Sequence, residues 1–166
     1  MVTFRLTRDY RVWIVMGLLL AGCNQSQSVP PFDLDLEGLE QVRLVTGDEA
    51  INAINRLHGM PIDVVRGFIA YYEGLHLHDK ATIWLSETTS EDLAQRQIEV
   101  MIDRMKNSTR SPFSHYRVLD ANGASVIGFD GMGQVHYVFR DNKWVYWISA
   151  DASRIDKILD HVMKRT

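Results

Sequence analysis

The stretch HYRVLDANGASVIGFDGMGQVHYVFRDNKWVYWISA, residues 115–150, decides the fold of this 166-residue chain. Apolar and polar residues alternate through it, and turn-forming pairs interrupt it at Asn122-Gly123, Asp130-Gly131 (with Gly133 close by) and Asp141-Asn142. Strand side chains point to alternate faces, and such pairs suit tight hairpin turns, so the stretch predicts an antiparallel meander. Its strands are expected at 116–119, 125–129, 134–140 and 143–150. Val135, Tyr137 and Phe139 share one face of the third, and Trp144, Tyr146 and Ile148 share one face of the fourth.

Working outward, the period changes to that of a helix on both sides. Downstream, a helix beginning near Asp151 carries Ile155, Ile158, Leu159, Val162 and Met163. Upstream, Leu93, Ala94, Ile98, Met101, Ile102 and Met105 recur at three and four, which predicts the longest helix over 88–109. Before it, 64–72 and 75–85 are rich in Val, Ile, Tyr and Trp around Glu73-Gly74, a hairpin signature. Val42-Arg43-Leu44-Val45 alternates weakly and runs into Thr46-Gly47-Asp48-Glu49, whose Thr and Glu have capping-box spacing. The helix opened there presents Ala50, Ile51, Ile54 and Leu57, and Gly59 is its expected left-handed cap. Together these elements predict an α+β domain: a hairpin plus a four-stranded meander in a mostly antiparallel sheet, with about three helices packed on one face.

The amino terminus carries a different signal. Arg5, Arg8 and Arg11 precede the apolar run Val12–Leu20, and Leu20-Ala21-Gly22-Cys23 follows, with the chain's only cysteine directly after small residues. The apolar stretch through Cys23 would span about 18 Å as a helix, short of the roughly 30 Å hydrocarbon core, so it suits an export signal rather than a membrane span. The segment resembles the lipobox of bacterial lipoproteins. That resemblance implies cleavage between Gly22 and Cys23, a diacylglycerol (with palmitate-type acyl chains) on the Cys23 sulfur, an N-acyl chain on its new amine, and attachment to a membrane of the cell envelope. In two-membrane bacteria, Asn24 after the cysteine implies the outer membrane, facing the periplasm. The runs Leu57-His58-Gly59 and Gly131-Met132-Gly133-Gln134-Val135-His136 resemble small uncharacterised bacterial envelope proteins, a resemblance that implies no activity.

Removing residues 1–22 takes away three arginines and one aspartate, leaving 144 residues and moving the formal charge from −3 to −5. This acidic balance argues against nucleic acid as a partner and against an electrostatic grip on anionic lipid, leaving the acyl chains as the membrane contact. With Cys23 lipidated, no thiol remains for a disulfide, a nucleophile or a thiolate metal site. Residues 23–40, polar, then proline-stiffened at Pro30-Pro31, then acidic, read as the lipidated cysteine and a flexible tether of about 20 to 25 Å reach, and 41–166 as a single domain.

Candidate chemistry within the domain is sparse. His76 and His78 alternate on a predicted strand, so both imidazoles could face one metal ion, but a third ligand from His58, His115, His136, Glu73 or Asp79 has no fixed spacing. His58 suits a helix carboxyl end, and His136 suits a buried, hydrogen-bonded strand position. No Gly-x-Ser-x-Gly elbow accompanies the histidines, and Ser149 and Ser153 read as turn or cap residues. The glycines of 128–133 precede a strand, not the helix a dinucleotide loop requires, and suit a positive-φ corner. Glu87, Glu91 and Asp92 read as helix-start charge. Trp144 and Trp147 have opposite parity, so one is expected to face away from the core as a partner surface. The function expected from these residues is a non-enzymatic, lipid-anchored envelope module that binds another envelope component through its sheet and needs no cofactor beyond its lipid. A metal- or small-ligand-binding accessory protein using His76 and His78 is the alternative.

Overall fold

The computed structural model describes residues 29–32, 35–36, 38–76 and 79–164; the expected signal segment 1–22, Cys23 and His78 lie outside the described residues. The elements follow in the order β1 (Glu40–Thr46), α1 (Gly47–His58), β2 (Arg66–Glu73), β3 (Lys80–Glu87), α2 (Glu91–Asn107), β4 (Phe113–Ala121), β5 (Ala124–Gly131), β6 (Gln134–Asp141), β7 (Trp144–Ala150) and α3 (Ile155–Met163). The fold is α+β with an antiparallel sheet of strand order β1-β2-β3-β7-β6-β5-β4. The meander β4–β7 forms as the alternation predicts, with a turn at Asn122-Gly123 as expected, but Asp130-Gly131 lies within β5 and Asp141 within β6, and those two turns fall at Met132-Gly133 and Asn142-Lys143, where Met132 and Asn142 take positive φ. The free edge of β7 then takes β3, with Ile83 opposite Ile148 and Trp84 opposite Trp147, which joins hairpin and meander into one sheet.

Three local expectations shift. The weakly alternating residues before α1 form β1, an edge strand paired with β2. The β2–β3 connection is wider than a tight turn at Glu73-Gly74: the Gly74 N–H donates to the Asp79 carbonyl at 2.7 Å, and β3 starts only at Lys80. Helix α2 starts at Glu91, because the Ser90 hydroxyl accepts from the Leu93 N–H at 3.2 Å. Thr88 is taken up earlier, its N–H bonding the Lys143 carbonyl at 2.9 Å. Thr46 does occupy the N-cap of α1, without a side-chain cap bond, and Gly59 closes that helix at φ 67°.

The helices do not share one face of the sheet. Helix α3 packs its Ile155, Ile158, Leu159 and Val162 on the face carrying Ile83, Tyr137, Phe139, Tyr146 and Ile148. On the other face, α2 covers Val138, Val145 and Trp147, and α1 covers Val45 and Ile69. The reason is legible in the strands: β3, β6 and β7 are apolar at both parities, so each face exposes surface that must be buried. The expected tether to residue 40 also ends sooner. Phe32, Leu36 and Leu39 are buried in the core on the α3 face, with the Phe32 ring 6.4 Å from that of Tyr146. Burial of a large apolar side chain contributes about 1.5 to 3 kcal/mol, which favours this docking over a free coil.

Candidate functional site

Helices α1 and α2 lie side by side on one face without merging their cores. Ala50 of α1 belongs to one apolar cluster and Ala94, Ile98, Met101 and Ile102 of α2 to another, with Trp84 touching both from below. Helix α1 lies over β1, β2 and β3, and α2 over β4, β6 and β7, so the seam between them falls above the β3–β7 junction. A cavity of about 390 Å³ occupies that seam. One wall is Leu57 and His58 at the end of α1, continued by Met60 and Ile62; the opposite wall is α2, through Leu93, Gln97, Val100, Met101 and Met105. Phe113 and Trp147 supply the floor. A pocket of about 20 Å³ beneath shares Leu57, His58, Met101 and Trp147 and reaches Trp84. Leu57, Met60 and Val100 remain 44%, 44% and 49% exposed, an open apolar rim.

The floor is held by a closed set of aromatic contacts. Phe113, Phe129, His136 and Trp147 pack with every ring centroid between 5.1 and 5.8 Å from the others. The indole N–H of Trp147 donates to His136 Nδ1 at 3.1 Å, and Nε2 lies 2.9 Å from the Gly131 carbonyl. An indole can only donate and a carbonyl only accept, so the imidazole carries its proton on Nε2 and is neutral. Burial holds the His136 pKa below the ordinary histidine value, against the opposite pull of the Gly131 carbonyl and Asp130. At the cavity wall, burial and then the Arg104 guanidinium likewise lower that of His58. His58 is therefore driven toward the neutral form, the reverse of a charged cap on the helix dipole.

Polar groups are few and placed at the rim. Arg96 and Arg104 line the cavity, and among the described residues no aspartate or glutamate does. The Gln97 amide donates to the Asp63 carbonyl at 3.2 Å, while its buried Oε1 has no partner. A second cavity of about 340 Å³ on the α3 face is lined by Arg154, Lys157, Asp160 and Lys164. Its charges are of both signs and Arg154 is already bound to Asp79 at 2.9 Å, so it offers less as a binding site. No family model, no curated protein and no solved structure matches this chain.

The residues singled out from sequence are scattered. His76 is exposed in the β2–β3 connection, not on a strand, and His78 lies outside the described residues. Among the described residues there is no group of three or more His, Cys, Asp or Glu side chains able to hold a metal ion. Trp147 does not face solvent: it is 8% exposed and forms the cavity floor. Trp144 is half-buried on the other face, with the Arg66 guanidinium 4.9 Å from its ring. Neither tryptophan presents an open surface: α2 covers Trp147, and Phe68 and Arg66 of β2 pack on Trp144. Ser149 is a buried strand residue, whereas Ser153 does serve the turn at Asp151.

Two further sets of polar residues lie outside the groove, and the first corrects an expectation. Glu87 is not helix-start charge: it is 4% exposed at the end of β3, clamped by Arg66 and by Lys143 at 3.0 Å. The Arg66 hydrogen bond, with Lys143 behind it, holds its carboxyl below the usual carboxylate range. At the β4 bulge, Ser114 Oγ is 3.2 Å from His115 Nδ1, and Asp130 Oδ2 is 3.3 Å from the same nitrogen. A serine triad uses opposite ring nitrogens for its two partners, so this set cannot pass a proton from serine while the carboxylate orients the ring. No helix among the described residues is long and apolar enough to cross a membrane.

Proposed function

We propose that this protein is a non-enzymatic, lipid-anchored cell-envelope binding module, and that it holds an apolar small molecule of the envelope in the groove between α1 and α2. The observation that carries the reading is the groove itself: about 390 Å³, walled by leucine, methionine and valine, floored by Trp147, and open at the rim. Ligand sites are concave and mostly apolar, of about 300 to 1,000 Å³, with a few polar groups that fix orientation. At about 0.8 kcal/mol per buried CH₂, ten methylenes contribute about 8 kcal/mol before ordering costs, which is the micromolar scale. The lipobox at Cys23 supports the envelope location, and the acidic domain supports acyl chains as its membrane contact. Binding through a bare sheet face is replaced in this reading by binding between helices, since both faces are covered.

The test uses the full chain in phosphatidylcholine nanodiscs with a neutral long-chain alkyl diazirine as probe. Illumination is expected to label residues of α2 and of 57–62, and Val100→Trp, which fills the groove, is expected to remove that labelling while leaving the melting temperature nearly unchanged. Labelling spread evenly over the surface, or unaffected by Val100→Trp, would overturn the proposal.

A further inference from the structure

Resting on that reading of the groove, we infer that its ligand is a single-chain amphiphile with an anionic head, the chain lying on Trp147 between Leu57 and Val100 and the head held by Arg104. The charge arrangement carries this. The domain is acidic, and Arg43, Arg66, Arg117, Arg140 and Arg154 are all ion-paired, while Arg56 and Arg110, which lie outside the groove, form no ion pair among the described residues. Arg96 and Arg104 line the groove, and among the described residues neither forms an ion pair. They stand four residues either side of Val100, so all three fall on one ridge of α2. Among the described residues, Arg104 Nη1 donates only to the Met60 sulfur, at 3.0 Å, a weak neutral acceptor. Its remaining N–H groups have no partner among the described residues and can take a carboxylate or phosphate in the two-pronged geometry a guanidinium favours.

The same chemistry describes a fatty acid and a lysophospholipid. Gln97 Oε1, buried without a donor, separates them, because a glycerol hydroxyl can donate to it and a carboxylate cannot.

Displacement of the diazirine probe from the full chain in nanodiscs, at mildly alkaline pH, tests the head. Dodecanoate and lauroyl-lysophosphatidate are expected to displace it at concentrations about tenfold or more below those of dodecanol and dodecylamine, the scale of a charge-assisted hydrogen bond. Arg104→Gln is expected to erase that advantage and leave dodecanol unchanged. Lysophosphatidate losing potency in Gln97→Leu while dodecanoate does not would identify the lysophospholipid as the better fit; equal loss or none would identify the fatty acid. If dodecanol or dodecylamine competes as well as dodecanoate, the anionic head is refuted while the groove stands. If no amphiphile competes, the groove reading fails as well. Should Arg104→Gln not fold, the four-headgroup comparison on the unaltered chain decides.

Discussion

At the scale of single residues, His136 shows how one polar group can be built into an apolar floor. Its two nitrogens are each matched to a partner of fixed role, a donor-only indole and an acceptor-only carbonyl. Protonating Nδ1 would set N–H against N–H and break the contact with Trp147. The folded protein therefore binds this proton less readily than the unfolded chain, whose imidazoles titrate near pH 6.5. Stability is complete above that value and is lost as pH falls through it toward the lowered folded pKa, and His58 acts with the same sign. Melting temperature should fall between about pH 7.5 and about pH 5.5, and His136→Gln, which keeps an acceptor without titrating, should show a shallower slope. Equal slopes would remove His136 as a source. The buried position of His136 is readable from its place between Val135 and Tyr137. Its bond to Trp147 is not, because cross-strand register fixes it and no local pattern does.

At the scale of elements, the β5–β6 corner separates two uses of glycine. Gly133 adopts φ +79° with open space around it, the positive-φ corner that the glycine-rich run suggests. Gly131 is needed for a different reason: a Cβ there would lie 2.3 Å from Phe113 Cδ1. Gly131→Ala should therefore cost about 1 to 3 kcal/mol through overpacking. Gly133→Ala should cost about 1 to 2 kcal/mol through backbone strain alone. Urea midpoints measure both, and only the first should alter probe labelling, because Phe113 lines the groove. Wild-type labelling in Gly131→Ala would show that the corner does not shape the site. The meander was legible because its turns and alternation are local signals. The groove was less so: the apolar stripe of α2 reads as one buried face, yet Leu93 and Met105 also look sideways with Gln97 and Val100 toward α1. One sequence cue exists, namely Arg104 set three and four residues after Met101 and Val100, a cation over an apolar ridge.

At the scale of the whole molecule, the sheet is a shared partition with a core on each side. The order of elements predicts the class of fold, but pairing of β3 with β7 is a long-range event, and the double coverage follows only once that pairing sets β3 centrally in the sheet. Docking of Phe32, Leu36 and Leu39 was hidden because the acidic residues between them read as solvated chain. The address at the amino terminus has its own test. Cys23→Ser should leave an uncleaved, unlipidated precursor, visible as a larger species that takes up no labelled acyl chain, and normal maturation of that variant would refute the lipobox. The contact between Phe32 and Tyr146 has a further consequence for orientation. The chain leaves the domain on the α3 side, and the nine residues back to Cys23 extend at most about 30 Å. With Cys23 lipidated as we propose, the anchor would depart from the face opposite the groove, so the attachment itself would not lie across the groove's mouth.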